Sequence, residues 1–285
     1  MMDLKKNQKT NISVDYNNLN EKHLSIQLSL DGFSFCIINK TEKQVEKLQH
    51  FPFKDNSPSP EKLLKNIEDL FGKEKALQKR YGSVNITHVN QLSTLVPKSL
   101  FDEDHIRDYI KFSSKTYVNE YLVHDELENH ELINVYIPFV NVNNFFLERF
   151  GSFEYKHFST VFVNTLLNTF KFSEQPHMFA HIGEKHFEIM VIANDKLLFY
   201  NSFSYQTKED FIYYILFTAE QLELNPENFE LVLAGKIDAD SDFYKMAYTY
   251  VRKVSLLENR SQFKFPSNIK EETKRKYFTL LNQFS

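Results

Sequence analysis

The chain has 285 residues, 42% hydrophobic and 25% charged, with a net charge of −4. That length is enough to bury one large core or two smaller ones, and the composition is that of an ordinary globular protein. The acidic balance argues against nucleic-acid binding, because a phosphate-backbone partner needs a basic surface.

Residues 1–20 are polar, lack the apolar core of a signal peptide, and are expected to form a tail. Leu24, Ile26, Leu28 and Leu30 then alternate with Ser25, Gln27 and Ser29, the period of a half-buried strand. Asp31-Gly32 is a two-residue hairpin signal leading into strands over Phe33–Ile38 and Val45–Phe51. In "SPSPEKLLKNIEDLFG", Ser59 is placed to cap a helix and Pro60 to begin it. Leu63, Leu64, Ile67, Leu70 and Phe71 give that helix one apolar face, and Gly72 stands where a terminating glycine is expected. A short helical piece follows, then strands in "SVNITHVN" and "QLSTLVP".

Beyond Lys98 the spacing predicts a helix in "DEDHIRDYIKF", a polar-tipped hairpin over residues 116–139, and a helix in "VNVNNFFLERF". Strands are next expected at Met178–Ile182, Phe187–Ala193 and Lys196–Ser202. A helix capped by Thr207 with Asp210 comes after them. "FELVLAG" is a strand, "DADSDFYKMAYTYV" a helix, "RKVSLLE" a last strand, and Lys270–Phe284 a terminal helix. Three strands, a helix and a strand therefore occur twice in order. The domain reading is a tail (1–20), a first half (21–97), an inserted α+β subdomain (98–150) and a second half (151–285).

No apolar run approaches the ~18 residues that cross a bilayer, so no membrane span is expected. The single cysteine, Cys36, rules out an intrachain disulfide and points to a reducing cytoplasm. Six glycines with no Gly-x-Gly pair exclude a Rossmann fingerprint and a P-loop. His177, His181 and His186 cluster around one turn, but no Cys or Asp completes a zinc set, so no metal site is expected. The numerous Phe and Tyr residues lack interleaved basic residues and read as core filling rather than base-stacking surface.

The duplicated order and three glycine-marked turns resemble the actin, heat-shock chaperone and sugar kinase ATPase superfamily, nearest its PilM and FtsA branch. The whole chain is also similar to an uncharacterised bacterial family of that fold. The resemblance implies a mixed α/β fold of two RNase H-like β-β-β-α-β halves with an inserted α+β subdomain. It also implies ATP–Mg²⁺ held by two phosphate turns, each with a metal-serving Asp, and an adenosine turn. Here Ser29 stands at the first Asp position, with Asp31 and Gly32 following. In the second turn His181 replaces the Asp, Gly183 is kept, and Glu184 and Lys185 replace glycines. In the third, Gly235 is kept and Lys236 replaces its neighbour. Glu188 remains as one acid near the second turn.

With both carboxylates missing, no catalytic residue and no resident cofactor are expected, although weak ATP–Mg²⁺ binding stays open. The reading is a non-catalytic scaffold that binds a protein partner or forms a homodimer. Two alternatives remain at this point. One is a working ATPase of the PilM/FtsA type that uses Asp31 or Glu188 for metal. The other, implied only by the narrower family, is an accessory factor linked to ribosomal RNA modification.

Overall fold

The computed structural model describes residues 21–54, 57–111, 120–127, 129–173 and 175–283. The expected tail over residues 1–20 lies outside them. In chain order come strands β1 (Lys22–Ser29), β2 (Gly32–Asn39) and β3 (Gln44–Pro52), helix α1 (Pro60–Lys73), and strands β4 (Ser83–His88) and β5 (Ser93–Pro97). Two 3₁₀ turns lead to α2 (Ile106–Ile110), the hairpin β6 (Val123–Leu127) and β7 (Leu132–Tyr136), and α3 (Val140–Phe150). β8 (Glu154–His157) and α4 (Phe158–Thr169) precede the strands β9 (His177–Ile182), β10 (His186–Ala193) and β11 (Lys196–Ser204). The chain continues through α5 (Lys208–Gln221), β12 (Glu230–Gly235), α6 (Asp242–Tyr250), β13 (Lys253–Leu256), α7 (Glu271–Lys276) and α8 (Phe278–Leu281).

The chain divides into two compact units. The first runs to Val89 and takes in Phe139–Tyr155 and Ser261–Lys270. Its sheet has the order β3-β2-β1-β4-β8, with β1 antiparallel to β2, β2 antiparallel to β3, and β1 parallel to β4. Leu24, Ile26 and Leu28 of β1 are fully buried under α1, whose Leu63, Ile67, Leu70 and Phe71 face inward. Burial of each such side chain is worth about 1.5–3 kcal/mol. The α1 cap is the one the sequence predicts: Ser59 accepts the Lys62 N–H at 3.4 Å, and Pro60 is the first helical residue.

The second unit holds Asn90–Pro138, Lys156–Arg260 and Glu271–Ser285. One of its sheets has the order β11-β10-β9-β12-β13, and the other is the small antiparallel sheet β5-β7-β6. In the larger sheet β9 and β10, and β10 and β11, are antiparallel, while β12 runs parallel to both β9 and β13. Each five-stranded sheet thus repeats one strand order, three antiparallel strands with a fourth running parallel to the last of them and a fifth beside it. One face of the larger sheet packs on α5 and α6. Phe158 and Phe162 of α4 lie against His181 of β9, with ring centroids 4.7 and 5.5 Å apart. Thr207 and Asp210 form the expected capping box on α5.

Several local readings change. The first hairpin closes on the Ser29–Gly32 pair, so its turn is Leu30-Asp31 rather than Asp31-Gly32. Neither turn residue has positive φ. Gly32 is favoured for a different reason: a Cβ there would lie 2.9 Å from the His50 ring and 3.2 Å from the Phe51 carbonyl oxygen. Gly72 sits inside the last turn of α1, and Glu74 is the C-cap. The short helical piece after it is a run of turns. The terminal helix is two short helices, α7 and α8. Helix α3 packs with α1, its Val142 and Phe146 joining the first unit's core, and β8 closes that unit's sheet. The segment between β4 and α3 is what stands outside the first sheet.

Candidate functional site

In the second unit, β9 and β12 run parallel and end together, with Ala234 opposite His181 and Gly235 opposite Ile182. The Lys236 N–H continues this pairing by donating to the Ile182 carbonyl at 2.7 Å. Two of the expected turns, the one after β9 and the one after β12, are therefore neighbours. Gly235 makes the approach possible. Its φ is +81°, and a Cβ would fall 2.4 Å from the Ile182 oxygen. Only glycine tolerates both conditions.

The turn Gly183-Glu184-Lys185 is held from several sides. The Gly183 N–H donates to the His186 carbonyl at 2.9 Å, and the Tyr205 N–H donates to the Lys185 carbonyl at 3.2 Å. The Tyr205 hydroxyl donates to the Gly183 carbonyl at 3.0 Å and the Glu184 carbonyl at 3.2 Å. The Glu184 carboxylate pairs with the Lys236 ammonium, joining the two turns. Lys276 lies close enough that burial first, and then the Lys236 charge, hold its ammonium below the usual lysine range.

Beneath this turn, Glu188 faces His181 directly across the β9–β10 ladder. Its carboxylate accepts from His181 Nδ1 at 3.1 Å and from His186 Nε2 at 3.2 Å, and it is 3% exposed. Burial, the largest influence, acts to raise this carboxyl. The His186 charge and the two imidazole hydrogen bonds together outweigh it, leaving Glu188 at about 2.

These residues do not fit a hydrated Mg²⁺, which takes carboxylate and water oxygens in a tight octahedron. His181 offers nitrogen and its Nδ1 is committed to Glu188. Both Glu188 oxygens are engaged by imidazoles, and Glu184 is paired with a lysine. Among the described residues, no three His, Cys, Asp or Glu side chains group as a metal site.

In the first unit, Asp31 lies in the β1–β2 turn, and Ser29 and Gly32 are the pair that closes it. The Ser29 hydroxyl donates to the Asp31 carboxylate and, at 3.3 Å, to the Gly32 carbonyl. The Asp31 carbonyl in turn accepts the Phe53 N–H at 2.8 Å. This is a self-satisfied hairpin turn. Of the eight residues singled out from the sequence, the structure brings Gly183, Glu184, Lys185, Gly235 and Lys236 together in one unit and Ser29, Asp31 and Gly32 together in the other.

Sequence reading missed Tyr205, His186 and the α4 rings as supports of the β9–β10 turn. For His181 and Glu188 a signal existed: both stand one residue outside the first ladder pair, Ile182–Phe187, so they must oppose each other. It also missed a polar network at the start of α4. There the Asp125 carboxylate accepts from the Tyr136 hydroxyl at 3.0 Å, the His157 N–H at 3.0 Å and the Thr160 hydroxyl at 2.6 Å. Burial raises the Asp125 carboxyl against these bonds. The Asn134 amide donates to Ser159 and Thr160 at 2.9 and 2.8 Å.

Two sheets of one repeated strand order, with glycine-marked turns at the ends of β1, β9 and β12, define a protein of the actin-like ATPase fold. Residues 9–254 match the family described as "Protein of unknown function (DUF3822)", and the chain belongs to that family. It is similar to a Bacteroides thetaiotaomicron protein with actin-like ATPase fold and unknown function. That match has 25% identity, covers 86% of this chain and 93% of the other, and has a TM-score of 0.77. It is also similar in fold to a chain of the PilM–PilN type IV pilus biogenesis complex, at 12% identity over 91% of this chain and 96% of that one, with a TM-score of 0.61. No curated protein matches the sequence. Among the described residues, no helix is long and apolar enough to cross a membrane.

Proposed function

We propose that this protein has kept the actin-like ATPase fold, no longer hydrolyses nucleotide, and works in the cytoplasm through contacts with a protein partner or a second copy of itself. The observation that carries this reading is the closed state of the turn chemistry in the second unit. Glu184 and Lys236 neutralise each other, and His181 is bound to Glu188 where the superfamily needs a free carboxylate. Phosphoryl transfer depends on positioned Mg²⁺ and on donors aimed at the phosphates. An acid in the turn opposes both.

The PilM–PilN complex supports the second half of the reading, since a fold neighbour there assembles with another protein. Within the segment expected to be inserted (98–150), Leu100 and Tyr121 are large apolar side chains left exposed, and they are the first positions to change in a search for the contact surface. The test is thermal unfolding with and without millimolar ATP, in the presence and absence of Mg²⁺. A ligand bound to the folded state must raise the melting temperature. No Mg²⁺-dependent rise is expected, and a rise seen only when ATP and Mg²⁺ are combined, with phosphate released in the same sample, contradicts the reading.

A further inference from the structure

The second unit contains a cavity of about 430 Å³ that none of the three turn glycines lines. One wall is formed by residues 197–202 and Ser204 of β11, and the other by residues 93–95 and Pro97 of β5. Consecutive residues of a strand point to opposite faces. A cavity lined by six consecutive residues of β11 therefore reaches the strand's backbone edge, while Glu188 of β10, one strand further in, shows that it also extends over the sheet face. The same holds for β5, with Leu132 of β7 behind it. Both strands are the outermost members of their sheets. Among the described residues, no backbone hydrogen bond joins either outer edge to another strand. Edges of this kind carry rows of N–H and C=O groups that template a further strand. Pro97 lies at the end of β5, as edge strands allow.

The remaining lining sets the chemistry of an occupant. Among the described residues, Glu188 is the one charged residue on the cavity wall, and no Lys or Arg lines it. Each of its oxygens has accepted one imidazole hydrogen bond and has a second lone pair to offer. The rest of the polar lining is neutral hydroxyl and amide, including Ser93, Thr94, Asn201 and Ser202. The Gln91 amide donates to the Ser202 hydroxyl at 3.0 Å, tying the two walls at one point.

We infer that this cleft takes an extended peptide segment of a partner protein, added as a strand along β11 and β5, with a lysine or arginine directed to Glu188. Backbone pairing supplies the affinity and the Glu188 contact supplies selectivity. The inference deepens the protein-contact reading above, and rests on it for the class of ligand.

The test begins with selection from a displayed library of random eight-residue peptides on the full chain. The best sequence is synthesised and its binding measured by fluorescence anisotropy. A cationic residue should be enriched at one position. Replacing it by norleucine should weaken binding at least fivefold, and N-methylating alternate backbone amides should weaken it at least tenfold. Asn201→Arg, an exposed substitution that blocks the cleft, should abolish binding, whereas Asn201→Ala, which loses the same Ser202 N–H bond at 2.9 Å without blocking the cleft, should keep it. Bound peptide should slow hydrogen exchange at the backbone amides of residues 197–202. Failure to enrich any sequence, or binding indifferent to both Asn201→Arg and N-methylation, overturns the inference. A homodimer dissolved by Asn201→Arg also overturns it, because the cleft then belongs to a second copy. ATP turnover of the same preparations separates the two claims: turnover with cleft-dependent binding rejects the non-catalytic reading and leaves this one standing.

Discussion

Replacing Glu188 by Gln tests the physical account of the β9–β10 turn. Its carboxyl sits at about 2 in the fold, against 4.5 for an unperturbed glutamate. That gap makes the ionised group worth roughly 3 kcal/mol to the folded state. Because this carboxyl is depressed, that stability is fully present above about pH 4.5 and is lost as pH falls towards 2. Glu188→Gln keeps the shape and removes the charge that holds two imidazoles. Breaking one side of a buried pair costs about 3–5 kcal/mol, which agrees with that figure. Urea unfolding of both proteins should therefore give a difference of about 3 kcal/mol at pH 6, shrinking to about 1 kcal/mol at pH 3, with unchanged urea dependence. A difference that stays constant from pH 6 to pH 3 refutes the reasoning, because the loss would then arise from packing and not from charge.

Three further outcomes follow from the same structure. Gly235→Ala, with φ at +81° and a Cβ 2.4 Å from the Ile182 oxygen, should destabilise by about 2 kcal/mol or more, read as a lower urea midpoint. Asp125→Ala leaves the Thr160 hydroxyl and the His157 N–H without their acceptor and should cost about 1–3 kcal/mol, whereas Asp125→Asn should recover part of it. Burial, aided at His23 by the Lys40 charge, keeps His23 neutral to about 3 and His88 neutral to about 4. The unfolded chain takes up these protons near 6.5, so stability should fall as pH drops from 6.5 towards 4, by up to roughly 2.7 kcal/mol per pH unit for the two together. His88→Gln, which can still bond Asn143, should halve that slope in urea titrations at successive pH values.

The fold was legible where one periodicity dominated. β1 alternates cleanly, α1 carries a single apolar stripe, and Ser59 and Thr207 announce their helices with side chains that do cap them. It was illegible where tertiary burial removed the pattern. Nine of the twelve residues of α4 are buried, Ser159, Thr160 and Thr165 among them, so no polar face marks it as a helix. β8 has four residues and takes its identity from β4 rather than from its own sequence. The extent of the insertion was similarly hidden. α3 has the same apolar spacing whether it packs within a subdomain or on α1, and only the fold shows that it packs on α1. For the candidate site, the glycines located the three turns. The pairing of Glu184 with Lys236 joins residues 52 apart, which no local spacing reveals.

The central claim is that the turns no longer support catalysis, and phosphate release from Mg²⁺–ATP by the purified chain measures it most directly. The account expects no release above the protein-free rate, in the unmodified chain and in Asp31→Ala and Glu188→Ala alike. Ser29→Asp and His181→Asp together are the change that would begin to restore metal contacts. Mg²⁺-dependent release by the unmodified protein, abolished by Asp31→Ala or by Glu188→Ala in a variant that still unfolds cooperatively, would contradict the account and make this protein a working ATPase.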